Sequence, residues 1–453
     1  MRKAWLIAAV AVLAAGGALA AVIVSSGGEK KAQPGTSDSS RLTLTTESST
    51  HGTTSAGTTN GTTNGLPPPT GTTSPVPATT SRIPPPPSPH SSRKKVFTIG
   101  VVDDSLAQQD PNSARLLVNL SYQAGFDAVV VSATWTPGRT HPQPTVVRGI
   151  GNAARAARAH HMRLFIVAWN GFSTSTPRDG VERGQFATFA ASLVKAFPSV
   201  HAIVVGNEPN LSTFWMPQFG RDGRDVAAAA YEDLLARSYD AIKAASPNVE
   251  VVGIGISPHG ADRPHGIRPT HSPTAFIRDL GAVYRASGRK RPLMDAFAIH
   301  PYMSAPKIPP SRTHPKTTEI TIADYPKLVT LLDEAFRHTP QRGRTLPIMY
   351  TEFGVQTVVP DAKVSAYQAG TSPKAGEGVS SATQAAYYRE ALALAYCQST
   401  VRGLFIFHTF DEPALNGWQS GLYYADRTAK PSLRGFRRTV GDLRDGKLTN
   451  CGR

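Results

Sequence analysis

Sulfur is scarce in this chain of 453 residues, which has two cysteines, Cys397 and Cys451, and six methionines. Two thiols exclude a small scaffold held together by many disulfides. Acidic residues are outnumbered, 32 Asp and Glu against 48 Lys and Arg, for a net charge of +16. Residues 1–95 carry +6 of this and the remainder +10. No dense stripe of Lys and Arg occurs, so the excess does not read as a nucleic-acid footprint. It fits either affinity for acidic surfaces, such as anionic lipid or cell-wall polymer, or a basic composition that implies no partner. Long apolar runs are limited to one, which excludes a multi-pass membrane protein. No Gly-x-Ser-x-Gly elbow is present, which argues against a serine hydrolase.

What is present divides into three parts. Residues 1–25 begin with Arg2 and Lys3 and continue as an apolar run over 4–24, long enough to span a bilayer. The same run reads as a signal peptide, with Ala18-Leu19-Ala20 as a small-residue cleavage site. Anchor or signal peptide, either reading puts the bulk of the chain outside the cytoplasm, membrane-anchored or secreted. Residues 26–95 form a linker. Of the 44 residues in 49–92, 34 are Ser, Thr, Pro or Gly. Such a composition cannot bury enough apolar surface to offset its ordering entropy, so disorder is expected.

From residue 96 the pattern changes. Strand-like runs are expected at 96–102, 126–133, 162–168, 200–207, 249–256, 294–300, 346–352 and 402–409. Helical patterns follow them near 112–124, 147–160, 183–197, 224–245, 274–287, 322–337, 381–398 and 432–443. Continuous Val- and Ile-rich strands alternating with helices imply a parallel sheet covered on both faces. Eight such units imply an α/β fold of the closed (β/α)8, or TIM-barrel, kind over 96–453. The rival is an open doubly wound sheet. It would want a glycine-rich turn after the first strand, where Val102-Asp103-Asp104 stands instead. The loops at 301–321 and 353–380 are long, and in a barrel they would shape the catalytic face.

Two strand ends carry the chemistry. The fourth ends Val205-Gly206-Asn207-Glu208-Pro209-Asn210, and the seventh ends Met349-Tyr350-Thr351-Glu352-Phe353-Gly354. Each places one Glu at the carboxyl end of a barrel strand, where two carboxyl groups can face each other across the mouth. Glycoside hydrolysis needs such a pair, one as acid for the leaving oxygen and one as carboxylate at the anomeric carbon. Taken singly, Glu208-Pro209 also fits a helix start, and Glu352 a rim salt bridge.

With these residues in place, the chain resembles clan A of the retaining glycoside hydrolases, which includes cellulase-like, β-mannanase and β-xylosidase families. The resemblance rests on Asn207-Glu208-Pro209 and Thr351-Glu352-Phe353-Gly354, and it covers 96–453. It implies that Glu208 is the general acid/base, Glu352 the nucleophile, and Asn207 a contact to the sugar 2-hydroxyl. His300-Pro301-Tyr302 is similar to the clan's His/Tyr element beside the nucleophile. The clan commonly ends its eighth strand in a Trp that floors the sugar site. Here that strand reads Phe405-Ile406-Phe407-His408-Thr409-Phe410, with Trp418 further along. For Glu208 to act as acid, burial and the charge of Glu352 are expected to raise its pKa.

Four tryptophans, Trp135, Trp169, Trp215 and Trp418, follow strands 2, 3, 4 and 8 and are expected on the same face. Sugar rings pack their C–H faces on aromatic planes, so these are candidate substrate contacts. Asn170, Gln218 and Asn416 are polar candidates nearby, and Asp103, Asp104, Asp411 and Glu412 are further rim carboxylates. His259, His265 and His271, with His300 and His408, keep a metal-dependent hydrolase in view. No His-x-His pair stands on the first strand, and neither a metal nor a cofactor is expected. Cys397 and Cys451 either pair in a disulfide that pins the tail or remain two separate thiols.

The expected function is an extracytoplasmic retaining glycosidase acting on a poly- or oligosaccharide through β-glycosidic bonds, as a monomer. A transglycosidase would use the same residues. A catalytically silent carbohydrate-binding barrel at the cell surface is the alternative from a different class.

Overall fold

The computed structural model describes residues 96–264, 266–368, 378–448 and 451. The expected export or anchor segment and the linker lie outside the described residues. Among the described residues no helix is long and apolar enough to cross a membrane.

Eight parallel strands close into one barrel in chain order. They are β1 (Thr98–Val102), β2 (Ala128–Thr134), β3 (Arg163–Trp169), β4 (Val200–Val205), β5 (Glu250–Ile256), β6 (Ala296–Ile299), β7 (Ile348–Phe353) and β8 (Val401–Phe407). Closure is the pairing of β1 with β8, from Thr98 opposite Gly403 to Val102 opposite Phe407. The doubly wound alternative is thereby excluded. The helices are α1 (Pro111–Ala124), α2 (Pro144–Ala159), α3 (Gly180–Ala196), α4 (Ala227–Ala245), α5 (Pro273–Ala286), α6 (Tyr325–Phe336), α7 (Asp361–Val364), α8 (Ser381–Cys397) and α9 (Ser432–Arg444). The short α7 lies in the loop after β7 and was not expected from the sequence.

Local chemistry sets these boundaries. Asp110 caps α1 by accepting from Ser113 N, Pro111 starts the helix, and Gly125 ends it at φ +110°. Ser272 and Pro273 do the same for the start of α5.

Two apolar layers result. Alternate strand residues such as Ile99, Val129, Ile166, Ile203 and Tyr350 pack outward against the helices. The others, including Val102, Val130, Phe165, Val204, Val252, Met349, Phe405 and Phe407, fill the barrel. Gly100 is required here, because a Cβ at that position would lie 2.1 Å from the Phe405 ring. The lumen is therefore plugged by side chains, and function is left to its two ends.

Cys397 and Cys451 form a disulfide. It joins the end of α8 to a residue seven positions beyond α9.

Candidate active site

Glu208 lies three residues beyond β4 rather than within the strand. The chain leaves β4 through Gly206 at φ +83° and holds Glu208 itself at φ +42°. A residue with a Cβ costs about 1–2 kcal/mol in the left-handed region, so its surroundings must hold it there. They do so through β5. Gly255 (φ +62°) is an extra residue in that strand, where Ile254 faces Ala298 but Ile256 already faces Ile299. The carbonyl of Gly255 accepts from Glu208 N at 2.8 Å. A Cβ on Gly255 would come within 3.1 Å of His300 Nε2, so this glycine also makes room for the imidazole.

Glu352 reaches the mouth through a second irregularity. Ile348 and Tyr350 face the outer layer and Met349 faces the lumen. Strict alternation would send Glu352 outward with Tyr350. Between Tyr350 and Phe353, however, three steps of β7 match two steps of β8. The extra residue reverses the phase, so Phe353 joins the outer layer and Glu352 turns inward.

The carboxylates meet around one buried imidazole. His300 follows β6 and continues its inward-facing set, Ala296 and Ala298. Its Nδ1 lies 3.1 Å from Glu208 Oε1 and 3.6 Å from Glu352 Oε2. Tyr302 Oη donates to Glu352 Oε2 at 3.1 Å. Burial lowers the proton affinity of His300, but the charges of Glu352 and Glu208 outweigh it, and its pKa lies above the ordinary value. Glu352 is pushed up to about 7, by burial first and then by the negative charge of Glu208, against the opposing effect of His300. Burial thus raises the proton affinity of Glu352, which the sequence reading did not expect.

Asp104, after β1, adds a third carboxylate. It accepts from Ser132 N at 2.6 Å, is pushed up to about 6 by burial, and contributes to the raised pKa of Glu352. Asn207 is half-buried beside Glu208 in sequence.

The tryptophans separate into two pairs. Trp418 packs on Tyr302 at 5.2 Å between ring centres and on Phe407 at 5.5 Å. Phe407 also meets Tyr302 edge to face, so this aromatic group stands beside Glu352. Trp169 ends β3 in phase with the inward Phe165 and Val167 and is flanked by Phe172 and Phe214. Trp135 and Trp215 are corrections to the sequence reading. Both are 1% exposed and belong to the outer layer, Trp135 against Phe186 of α3 and Trp215 against Tyr231 of α4. A position just past a strand fixes the end of the barrel but not the side of the wall.

Most of the remaining polar candidates are fastenings. Asn170 donates to the carbonyls of Phe172 and Phe214, and Gln218 to those of Pro209 and Trp215. Asp103 accepts from Ser105, Thr409 and Phe410 and ties the β1 and β8 ends together. Asp411 is fully buried in an ion pair with Lys430 at 2.6 Å. Glu412 accepts from Trp418 N at 3.0 Å and is pushed up to about 7 by burial. Asn416 is exposed. His271 is buried 3.3 Å from Asp225, His259 lies 3.3 Å from Glu319, and His265 is outside the described residues. Burial lowers His408 to about 3. Among the described residues no group of three or more His, Cys, Asp or Glu is placed to hold a metal.

The sequence reading missed the two bulges and the part Phe407 plays. Glycine inside a strand is a bulge signal, and Gly253-Ile254-Gly255 carries it. The β7 bulge, at Thr351-Glu352, has no such marker.

No family model matches the chain, and no curated protein matches it. Solved structures do. The GH5_18 protein of Streptomyces cattleya, solved with GlcNAc, aligns over 78% of this chain and 81% of its own at 17% identity, with a TM-score of 0.51. A broad-specificity GH5-4 endoglucanase from Clostridium longisporum aligns over 78% and 99% at 11% identity, with a TM-score of 0.50. The exo-β-1,4-mannosidase Op5Man5 of the Opitutaceae bacterium strain TAV5 aligns over 78% and 60% at 15% identity, again with 0.50. The barrel is thus the one these clan A glycoside hydrolases share.

Proposed function

We propose that this protein is a retaining glycosidase that cleaves β-glycosidic bonds of a poly- or oligosaccharide. The observation that carries the reading is the pair of carboxylates, Glu208 and Glu352, gathered within 3.6 Å of one His300 nitrogen at the barrel mouth. That closeness favours the roughly 5 Å spacing of a retaining pair over the roughly 6.5–9.5 Å that leaves room for water in an inverting one.

In the first step a Glu352 oxygen bonds to the anomeric carbon as the glycosidic C–O bond breaks. The departing oxygen takes the proton of Glu208. In the second step water attacks the same carbon and gives its proton to Glu208, and the ester bond's electrons return to Glu352. Tyr302 holds Glu352 in place for attack. His300, whose proton affinity is raised by Glu352 and Glu208, stands between the two carboxyl groups and fixes their positions. Asn207 is the candidate contact to the sugar 2-hydroxyl. Trp418, with Tyr302 and Phe407, is the candidate floor beneath the ring. Trp169 extends the apolar wall on the Glu208 side. With a sugar as second acceptor instead of water, the same steps transfer a glycosyl group. The N-terminal apolar run would export the chain or anchor it in a membrane, with the barrel outside the cytoplasm.

The test is a panel of aryl β-glycosides and polysaccharides against the full chain and its Glu352→Ala variant. Hydrolysis is expected to fall about 10⁴–10⁶-fold in the variant. Near-normal rates in the variant would overturn the assignment. Sugar binding without turnover by either protein would leave the silent binding barrel.

A further inference from the structure

The opposite end of the barrel also carries an organised group of charges. β3 begins at Arg163 and β4 at Val200, so these residues lie at the strand N-termini, away from Glu208 and Glu352. There a cavity of about 340 Å³ is lined by Arg158, His161, Arg163, Ser199 and His201, with Leu164 and Val200 among its apolar walls. His201 is an additional residue in β4, where Leu164 faces Val200 but Phe165 already faces Ala202.

Arg163 is the unusual member. Its guanidinium is half-buried, yet no carboxylate of the described residues lies within 4.0 Å of it. The two acidic residues that act on it are engaged elsewhere. Asp127 is bonded to Arg444 and to Ile99 N, and Glu250 lies 3.8 Å from His201. Burial accordingly holds Arg163 below the ordinary arginine value despite both acids. A guanidinium in this condition has donors to spare and gains from an added anion. Arg158 supplies a second fixed positive charge from the last turn of α2. Helix C-termini approach this end and oppose an anion, but each amounts to about half a charge, less than one guanidinium.

We propose that this cavity is a binding site for a phosphate group. Two fixed positive charges match the one to two negative charges of a phosphate, and the imidazoles and the Ser199 hydroxyl add further donors. The chain enters the barrel at this same end, through Val96 and β1, immediately after Arg93-Lys94-Lys95 in the sequence. The site gives a specific place to part of the +16 charge that the glycosidase reading leaves unused.

The test is calorimetric titration of the full chain with inorganic phosphate at fixed ionic strength, followed by a soluble glycerol-phosphate oligomer. Saturable one-to-one binding of inorganic phosphate is expected. It should weaken about tenfold in Arg163→Gln and severalfold in Arg158→Gln, while glycoside turnover stays unchanged. Arg158 is exposed, so its replacement leaves folding intact if Arg163→Gln does not fold. Tighter binding of the oligomer would assign the phosphate to a polymer, and equal affinity to the free anion. No saturable phosphate binding, or binding unchanged by Arg158→Gln, would overturn the site.

Discussion

Two buried carboxylates near the carboxyl end of the barrel, Asp411 and Glu352, differ in how far their charge is satisfied. Asp411 receives Lys430 Nζ at 2.6 Å and Gly421 N at 3.0 Å on one oxygen, and Tyr367 Oη at 2.6 Å on the other. Its ion pair with Lys430 is wholly enclosed. Glu352 receives one hydrogen bond, from Tyr302, and its nearest cation is the titratable His300 at 3.6 Å. Its side chain keeps 17% of its surface exposed. Asp411 has nothing left to offer a ligand and fastens the β8 loop. Glu352 retains an unsatisfied oxygen at an accessible position. Burial alone therefore does not separate a fastening acid from one with an oxygen to spare; the number of committed partners does.

Breaking the reactive side of this comparison should have the largest effect. Glu208→Ala is expected to lower kcat about 10²–10⁴-fold on substrates with poor leaving groups, and much less on activated aryl glycosides. A uniform loss across leaving groups would remove Glu208 from the acid role. Breaking the structural side comes next. Lys430→Met leaves Asp411 charged, buried and unpaired, and should cost about 3–5 kcal/mol in urea denaturation. The pH profile of its remaining activity should be unchanged. The smallest effect sharpens the comparison. On the proposed mechanism Glu352 must be ionised to attack, and its pKa is raised to about 7. Hence the acid limb of kcat/KM should stand near this value, with activity falling about tenfold per pH unit below it. Tyr302→Phe removes a bond that favours the ionised carboxylate, so it should move this acid limb to higher pH. An acid limb that stays near 4.5 in both proteins would separate Glu352 from the titration.

Much of this arrangement was legible in the sequence, because strand and helix periodicities are local. The eight strands and their order follow from Val- and Ile-rich runs spaced by helices, and β4 and β7 end where expected to within two residues. The two Glu were singled out by their places at strand ends, and His300 and Tyr302 by the resemblance to clan A; the structure brings the four side chains together. Trp135 and Trp215 were not, because the side of a barrel wall depends on phase and loop path rather than on position along the chain. The inward turn of Glu352 was hidden for a related reason. Alternation read from 348 to 353 gives the wrong face, and only the pairing of β7 with β8 exposes the extra residue. The raised pKa of Glu352 was not legible because it depends on three-dimensional burial, which a motif does not contain.

The disulfide between Cys397 and Cys451 spans 54 positions, and β8, the loop bearing Trp418, and α9 all lie between its ends. This final stretch is therefore a covalent hoop. On loop length alone, such a closure contributes about 4 kcal/mol by restricting the unfolded chain. A protease that cuts once anywhere from 398 to 450 leaves a single molecule, with both new ends still tethered to the barrel. The strand that seals the barrel against β1 is thus the stave whose loss by a single nick the chain's own chemistry prevents.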